Sequence, residues 1–329
     1  MLISIIMTAK NADRFIDDCL QSIINQDESH WELCVVDNFS TDLTRSRLDH
    51  YASKDARIKV FEGSDGEIIT ALRIAYGNST GEFITRMDAD DLMPSNRLST
   101  FKKMLNNAGK GHVATGAVKY ISDEGLGNGF LRYEAWLNDL MLNQNHYDDI
   151  YKECIVPSPC WMIHRSDLEK CDAYRPDIYP EDYDLCFRFY REGIRVISTT
   201  DTMLYWRDYH NRNSRVDDKY KNNAFLSLKW NWFERLSRDR NRPLVLWGAG
   251  AKAKSLAKMI EGPFVWASNN PNKIGCNIYG NILVNSSEVD ELEAPQIIVA
   301  FSAPDDLKNI ESVAKKKGWE KNRDVFLFF

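Results

Sequence analysis

The sequence predicts an α/β chain, a mostly parallel mixed sheet with flanking helices, followed by a second, smaller α/β domain. Three observations carry this. The first hundred residues alternate short β-rich runs with longer helical patterns, the mark of successive βαβ units. A charged run, Ser237–Arg242, ends at Pro243, and the same alternation restarts beyond it. The chain has 329 residues, 43% hydrophobic and 27% charged, enough for two globular domains.

Taken in order, Leu2–Met7 is apolar apart from Ser4 and reads as a buried strand. Asp13–Gln26 places Phe15, Ile16, Cys19, Leu20, Ile23 and Ile24 at helical spacing, and Glu32–Val36 is the second strand. Helix Leu43–Ser53, strand Ile58–Phe61, helix Glu67–Tyr76 and strand Glu82–Arg86 continue the repeat, and a helix over Ser95–Asn107 closes it. The middle third is mixed: Val113–Ile121 and Ile155–Ile163 read as strands, with an irregular loop from Ser122 to Gly129 between them. Asp217–Leu236 is one amphipathic helix. Beyond the charged run come strand Leu244–Trp247, a Gly-Ala-Gly turn, helix Lys254–Ile260, strands Phe264–Ala267 and Gln296–Phe301, and helix Asp305–Lys317. The domains expected are 1–215, a helical linker over 216–242, and 243–329.

Composition excludes several classes. Lys and Arg number 42 against 48 Asp and Glu, and the net charge of −6 offers no global field for nucleic acid. No apolar stretch approaches the roughly 18 residues needed to span a bilayer. The first residues carry no basic segment ahead of the apolar run and no small-residue cleavage site after it, so the expected location is the cytoplasm. Seven cysteines, an odd number without a C-x-x-C pair, argue for reduced, mostly buried thiols.

Three acidic groups are candidates for chemistry. Asp88, Asp90 and Asp91 follow directly on a predicted parallel strand, where α/β sheets bind ligands beyond the carboxyl ends of strands. Two carboxylates there call for a compensating cation, and hard oxygen ligands suit Mg²⁺ or Mn²⁺ with a phosphate-bearing substrate; an acidic turn capping the next helix is the structural alternative. Glu181, Asp182 and Asp184 open a helical pattern, where acids also complement the dipole. Asp37, Asn38, Ser40 and Asp42 form a polar turn after the second strand, which simple N-capping also explains.

In series, ISIIMTAKN, VVDNFSTD, FITRMDADDLMPSNRL, YPEDYDLCFRF and LYWRDYH resemble the family 2 glycosyltransferases, the inverting group with the GT-A fold. The resemblance covers roughly residues 1 to 215. It implies a nucleotide-diphospho-sugar transferase fold in which Thr8, Ala9 and Asn11 flank the nucleotide base and Asn38 stands at the base-reading position. Asp88 and Asp90 contact the ribose and the metal-diphosphate, and Asp182 is the catalytic base. Asp37, Arg86 and Glu181, within the same motifs, join the substrate-binding set. The partners implied are a nucleoside-diphosphate sugar and a glycan or lipid-linked glycan acceptor, in bacterial surface-polysaccharide assembly. Where many members carry a metal-binding His two residues after an Arg, this sequence has Tyr209, with Asp208 and His210 as substitutes. The Q-x-x-R-W motif of processive synthases is absent, which points to single-residue addition.

Ile155–Arg165 falls where an acceptor loop belongs, with Trp161 able to stack on a sugar or to fill the core. Gly248–Ala253 fits G-x-G-x-x-A between a strand and a helix, as in the small Rossmann-like domains appended to some bacterial sugar enzymes, yet the acid that would hold a ribose is missing. The Asp217–Leu236 helix mixes Lys219, Lys221, Lys229 and Arg235 with aromatics, suiting either an anionic membrane surface or a bridge between domains. Two other functions fit parts of the sequence. A nucleotidyltransferase would carry a glycine-rich phosphate loop after the first strand, which TAKNADR lacks, and a dinucleotide sensor would work through the C-terminal domain.

Overall fold

The computed structural model describes residues 1–174, 177–210, 212, 218–220 and 222–329. The chain divides into two compact units, one of residues 1–146 and 154–216, the other of residues 147–153 and 217–329.

The first unit is a seven-stranded sheet in the order β3-β2-β1-β4-β6-β5-β7. Strands β1 (Ile3–Ala9), β2 (Trp31–Asp37), β3 (Ile58–Glu62) and β4 (Phe83–Asp88) are mutually parallel. They are joined by helices α1 (Ile16–Ile24), α2 (Thr44–Lys54) and α3 (Ile68–Gly77). The apolar spacing read in the sequence is the face α1 buries: Ile16, Cys19, Leu20 and Ile23 are inaccessible. At the amino ends of these strands the buried Glu32 carboxylate accepts from Ser4 Oγ and Lys59 Nζ, each at 2.7 Å, and from the Thr80 amide. One side chain thereby ties β1, β2, β3 and the turn before β4.

After α4 (Arg97–Ala108) the order changes. Strand β6 (Trp161–His164) enters antiparallel between β4 and β5 (His112–Ile121), and β5 pairs in parallel with β7 (Arg195–Arg207). The strand expected over Ile155–Ile163 therefore begins only at Trp161. Pro157 and Pro159 cannot donate to a ladder, and the segment instead turns, with the Cys160 amide donating to the Pro157 carbonyl at 2.9 Å. Helix α5 (Asn128–Asn143) follows directly on the irregular loop that the sequence indicates. It has a role at the sheet: beyond Thr115, the last residue of β5 paired with β6, Asn138 both donates to and accepts from the Val118 backbone at 2.9 Å. Helices α6 (Arg165–Lys170) and α7 (Glu181–Arg191) complete the unit.

The second unit has a six-stranded sheet, β10-β11-β9-β8-β12-β13. Its strands are β8 (Leu244–Trp247), β9 (Val265–Ser268), β10 (Asn277–Ile278), β11 (Asn281–Asn285), β12 (Gln296–Val299) and β13 (Val325–Leu327), parallel apart from the β10–β11 hairpin. Its helices are α8 (Asn222–Leu236), α9 (Ala251–Ala257) and α10 (Pro304–Lys317). The helix expected from Asp217 thus runs from Asn222; Asp217 and Lys221, like the residues on either side of the boundary expected at 215, lie outside the described residues. The unit also takes in 147–153: Tyr151 stacks on Phe328 with centroids 5.5 Å apart and meets Phe326 and Phe233 edge-on. None of the seven cysteines is in a disulfide, and six are buried. Among the described residues no helix is long and apolar enough to cross a membrane.

Candidate active site

Parallel pairing brings three motifs to one edge. Thr8 is level with Val36 on one side and Asp88 on the other, and Ala9 with Asp37, so the ends of β1, β2 and β4 line a common rim. The loops there are cross-linked by short polar side chains. Asn11, in the left-handed region at φ 51°, accepts from the Thr41 amide at 2.8 Å, and its own amide donates to Ser40 Oγ at 3.0 Å. Asp37 is buried and accepts from the Ser40 amide. Asn38 is also buried, and its side-chain oxygen has no protein partner. A buried acceptor left open at the end of β2 suits an N–H group of a bound ligand.

Arg86 is the hinge of the acidic groups. It is buried and donates through Nε to Asp88 and through Nη1 to Glu181, both at 3.0 Å. One guanidinium thus links the end of β4 to the first turn of α7, and although burial opposes its charge, Asp88 and Glu181 hold it firmly protonated. Asp182, next in the chain, is pushed up to about 7, first by burial and then by the Glu181 charge, with Arg86 pulling the other way. Its Oδ1 accepts from the Tyr183 amide at 2.8 Å. A carboxyl poised near neutrality, beside a charge network and in a cleft, is matched to general-base work.

Asp182 lines a small cavity with Arg86, Ser158, Trp161, Tyr174 and Cys186. Trp161 is buried there, its carbonyl accepting from Thr85 Oγ1 and its ring edge-on to Phe189. The hydroxyls of Ser158 and Tyr174 are buried without a protein partner. The turn Pro180–Glu181 follows a cis Tyr179–Pro180 bond.

On the other side of Asp88, Asp90 and Asp91 are both pushed up, chiefly by burial, with Asp88's charge adding to both and Asp90's to Asp91, and Arg212 opposing. Asp91 accepts from the Arg207 amide at 2.7 Å and keeps its other oxygen unpartnered. Tyr209 hydrogen-bonds Asp90 and packs on Phe15 with centroids 4.9 Å apart. His210 instead sits on Glu124, exposed, and Asp208 is buried with its amide on the Ile121 carbonyl. Neither Asp208 nor His210 joins Asp88 and Asp90 in a ligand cluster; among the described residues no group of three His, Cys, Asp or Glu could hold a metal ion by themselves. Arg212, by contrast, was invisible to motif reading: it lies more than a hundred residues from the acids it faces, and the end of β7 is brought to them by the Leu92–Tyr205 bridge and the Arg207–Asp91 bond. The carboxyls of Asp88, paired with Arg86, and of Asp90, opposite Arg212, are a hard-oxygen donor set that would fit a divalent ion completed by a diphosphate.

The family model for glycosyl transferase family 2 matches residues 4–172. The chain belongs to that family. Among its relatives, the UDP-Glc:alpha-D-GlcNAc-diphosphoundecaprenol beta-1,3-glucosyltransferase WfgD of Escherichia coli is 36% identical over 238 residues, covering 70% of this chain and 84% of that protein. The O-antigen biosynthesis glycosyltransferase WbnJ of Escherichia coli is 29% identical over 234 residues, 69% of this chain and 88% of that one. The solved mannosyltransferase PcManGT of Pyrobaculum calidifontis, in complex with GDP-Man and Mn2+, superposes with a TM-score of 0.55 at 20% identity over 73% of this chain and 66% of that one. This family 2 enzyme is a glycosyltransferase with the mostly parallel α/β fold that its sequence predicts.

Proposed function

We propose that the enzyme moves one sugar, with inversion, from a nucleoside-diphosphate sugar to a glycan or lipid-linked glycan acceptor in bacterial surface-polysaccharide assembly. The observation that carries this is the chain Asp88–Arg86–Glu181 with Asp182 at its end, which couples the rim of β1, β2 and β4 to a carboxyl near neutrality. In this reading Thr8, Ala9, Asn11, Asp37 and Asn38 hold the nucleoside, the open Asn38 oxygen accepting from the base. Asp88 and Asp90 would hold Mn²⁺ or Mg²⁺, which when bound neutralises charge on the departing diphosphate. Asp182 takes the proton of the attacking hydroxyl, and a single carboxylate base with no covalent intermediate means inversion by in-line attack. Ser158 and Tyr174, whose hydroxyls lack protein partners, orient that acceptor against Asp182. The relatives' own activities support the substrate classes: one acts on a diphosphoundecaprenol-linked GlcNAc and another in O-antigen biosynthesis. On this reading residues 1 to about 215 hold the whole catalytic constellation, and peripheral attachment to the inner membrane face suits a lipid-linked acceptor. Screening donor hydrolysis across UDP, GDP and dTDP sugars, with and without EDTA, tests it; full activity in excess chelator would remove the metal from the scheme.

A further inference from the structure

The glycine turn of the second unit is a sequence motif that the transferase chemistry leaves unused, and it borders an open cavity. The pocket has a volume of about 220 Å³, opens to solvent, and is lined by Trp247, Gly248, Ser268, Asn269, Lys273 and Asp306 among others. Its place in the sheet is informative. From β8 the chain runs to β9 and β11 on one side, then returns to place β12 on the other side of β8. The carboxyl ends of β9, β8 and β12 all open into this pocket, and such a reversal of strand order is where parallel sheets leave a crevice for ligands.

The walls have a definite chemistry. The floor is backbone: Gly248 sits at φ 133°, and a Cβ there would lie 3.2 Å from the Ala300 carbonyl oxygen, so only glycine lets the turn pass this close to β12. Asn269 is fixed by two bonds, accepting from Trp247 Nε1 at 3.2 Å and donating to Asp306 at 3.3 Å, which holds the one acid of the pocket on the β12 side. On the β9 side the wall is Ser268, Asn270 and Lys273, and among the described residues the Lys273 ammonium makes no ion pair. An unpaired cation and amides face one half and a fixed carboxylate the other. That division matches a phosphate at one end and hydroxyl donors at the other, and Phe301 adds an aromatic face.

We propose that the second unit is a small Rossmann-like domain that binds a nucleoside diphosphate in this pocket, with phosphate against Lys273 and the glycine turn and sugar hydroxyls against Asp306. The site is separate from the donor site of the first unit and does not depend on the reading given for it. The ligand is a dinucleotide or a nucleotide sugar, which share this chemistry.

Titration calorimetry on the full chain carrying Asp90→Asn, in EDTA, silences metal-dependent binding at the first site. UDP, GDP, ADP, NADH and NADPH are the probes. One equivalent of at least one probe is expected to bind, weakened tenfold or more by Lys273→Glu. A Cβ at Gly250 meets nothing within 4 Å, so Gly250→Glu introduces a repelling acid without disturbing the fold and should act in the same way. Binding of NADH or NADPH alone identifies a dinucleotide, and binding of UDP or GDP a nucleotide sugar. The proposal is overturned if no probe binds, or if both variants, folded by circular dichroism, bind as tightly as their parent.

Discussion

Asp182 carries the sharpest consequences because its environment is so asymmetric. Asp182→Asn keeps the shape and the bond to Tyr183 but cannot take a proton, so turnover should fall by roughly 10²-fold to 10⁴-fold with donor affinity little changed. Steady-state kinetics beside donor titration separate the two; near-normal turnover in this variant, with a loss in Glu181→Gln, would move the base by one residue. The pH profile follows from the same surroundings. As the proposed base, Asp182 would work ionised, so turnover should decline as pH falls through about 7, the value to which burial and Glu181 raise it. Glu181→Gln removes a raising charge and frees Arg86 to lower it further, so the acidic limb should move to lower pH. Asp90→Ala should abolish transfer and metal-dependent nucleotide binding together, since Asp88 alone leaves the diphosphate charge uncompensated. Retention of metal-stimulated binding by that variant would assign the metal elsewhere.

Among the elements, the four parallel strands depend on one buried carboxylate. Burial works against ionised Glu32, yet bonds from Lys59, Ser4 and Thr80 outweigh it and hold its pKa at about 2, below the ordinary 4.5. A depressed carboxyl contributes stability that is present above its unfolded value and is lost as pH falls from about 4.5 toward 2. Glu32→Gln should therefore melt earlier at neutral pH, by about 1–3 kcal/mol for charged bonds lost, and show a flatter stability curve through that acid window. Thermal melts at stepped pH values read both; a variant with the parent's acid slope would place the linkage on another group. The mixed end of the sheet relies on a different device. Asn138 of α5 stands in for a missing neighbour strand beside β5, a task that leaves no periodic trace in sequence.

At the scale of the molecule, the second unit is built from two separated stretches, and its aromatic core includes a residue far from the rest. Tyr151 lies among Phe233, Phe326 and Phe328. Tyr151→Ala should cost about 3–5 kcal/mol, the range for emptying a buried aromatic site, read as an earlier thermal transition. Truncation after Arg240 deletes Phe326 and Phe328 and leaves Tyr151 with only part of its cover, so it should lower stability while donor hydrolysis persists. A folded, monodisperse truncation that binds metal-nucleotide yet hydrolyses no donor used by the full chain would show that the small domain completes the active site.

The sequence by itself determined the fold class, the first four strands with their helices, and the acids that stand at the carboxyl edge of those strands. These features are local: apolar period sets each element, and a parallel βαβ repeat places every strand end on one edge, so Thr8, Asp37 and Asp88 follow from pattern alone. Tertiary structure alone decided the rest. Arg86 becomes the link between Asp88 and Glu181 only when the first turn of α7 meets the end of β4, and Arg212 faces Asp90 and Asp91 once the end of β7 bridges to the turn after β4. The late start of β6, the service of α5 to β5 and the enrolment of Tyr151 in the second unit likewise depend on partners that are remote in the chain. A residue's charge and spacing are written in the sequence, but what it pays in desolvation and which opposite charge meets it are fixed only by packing.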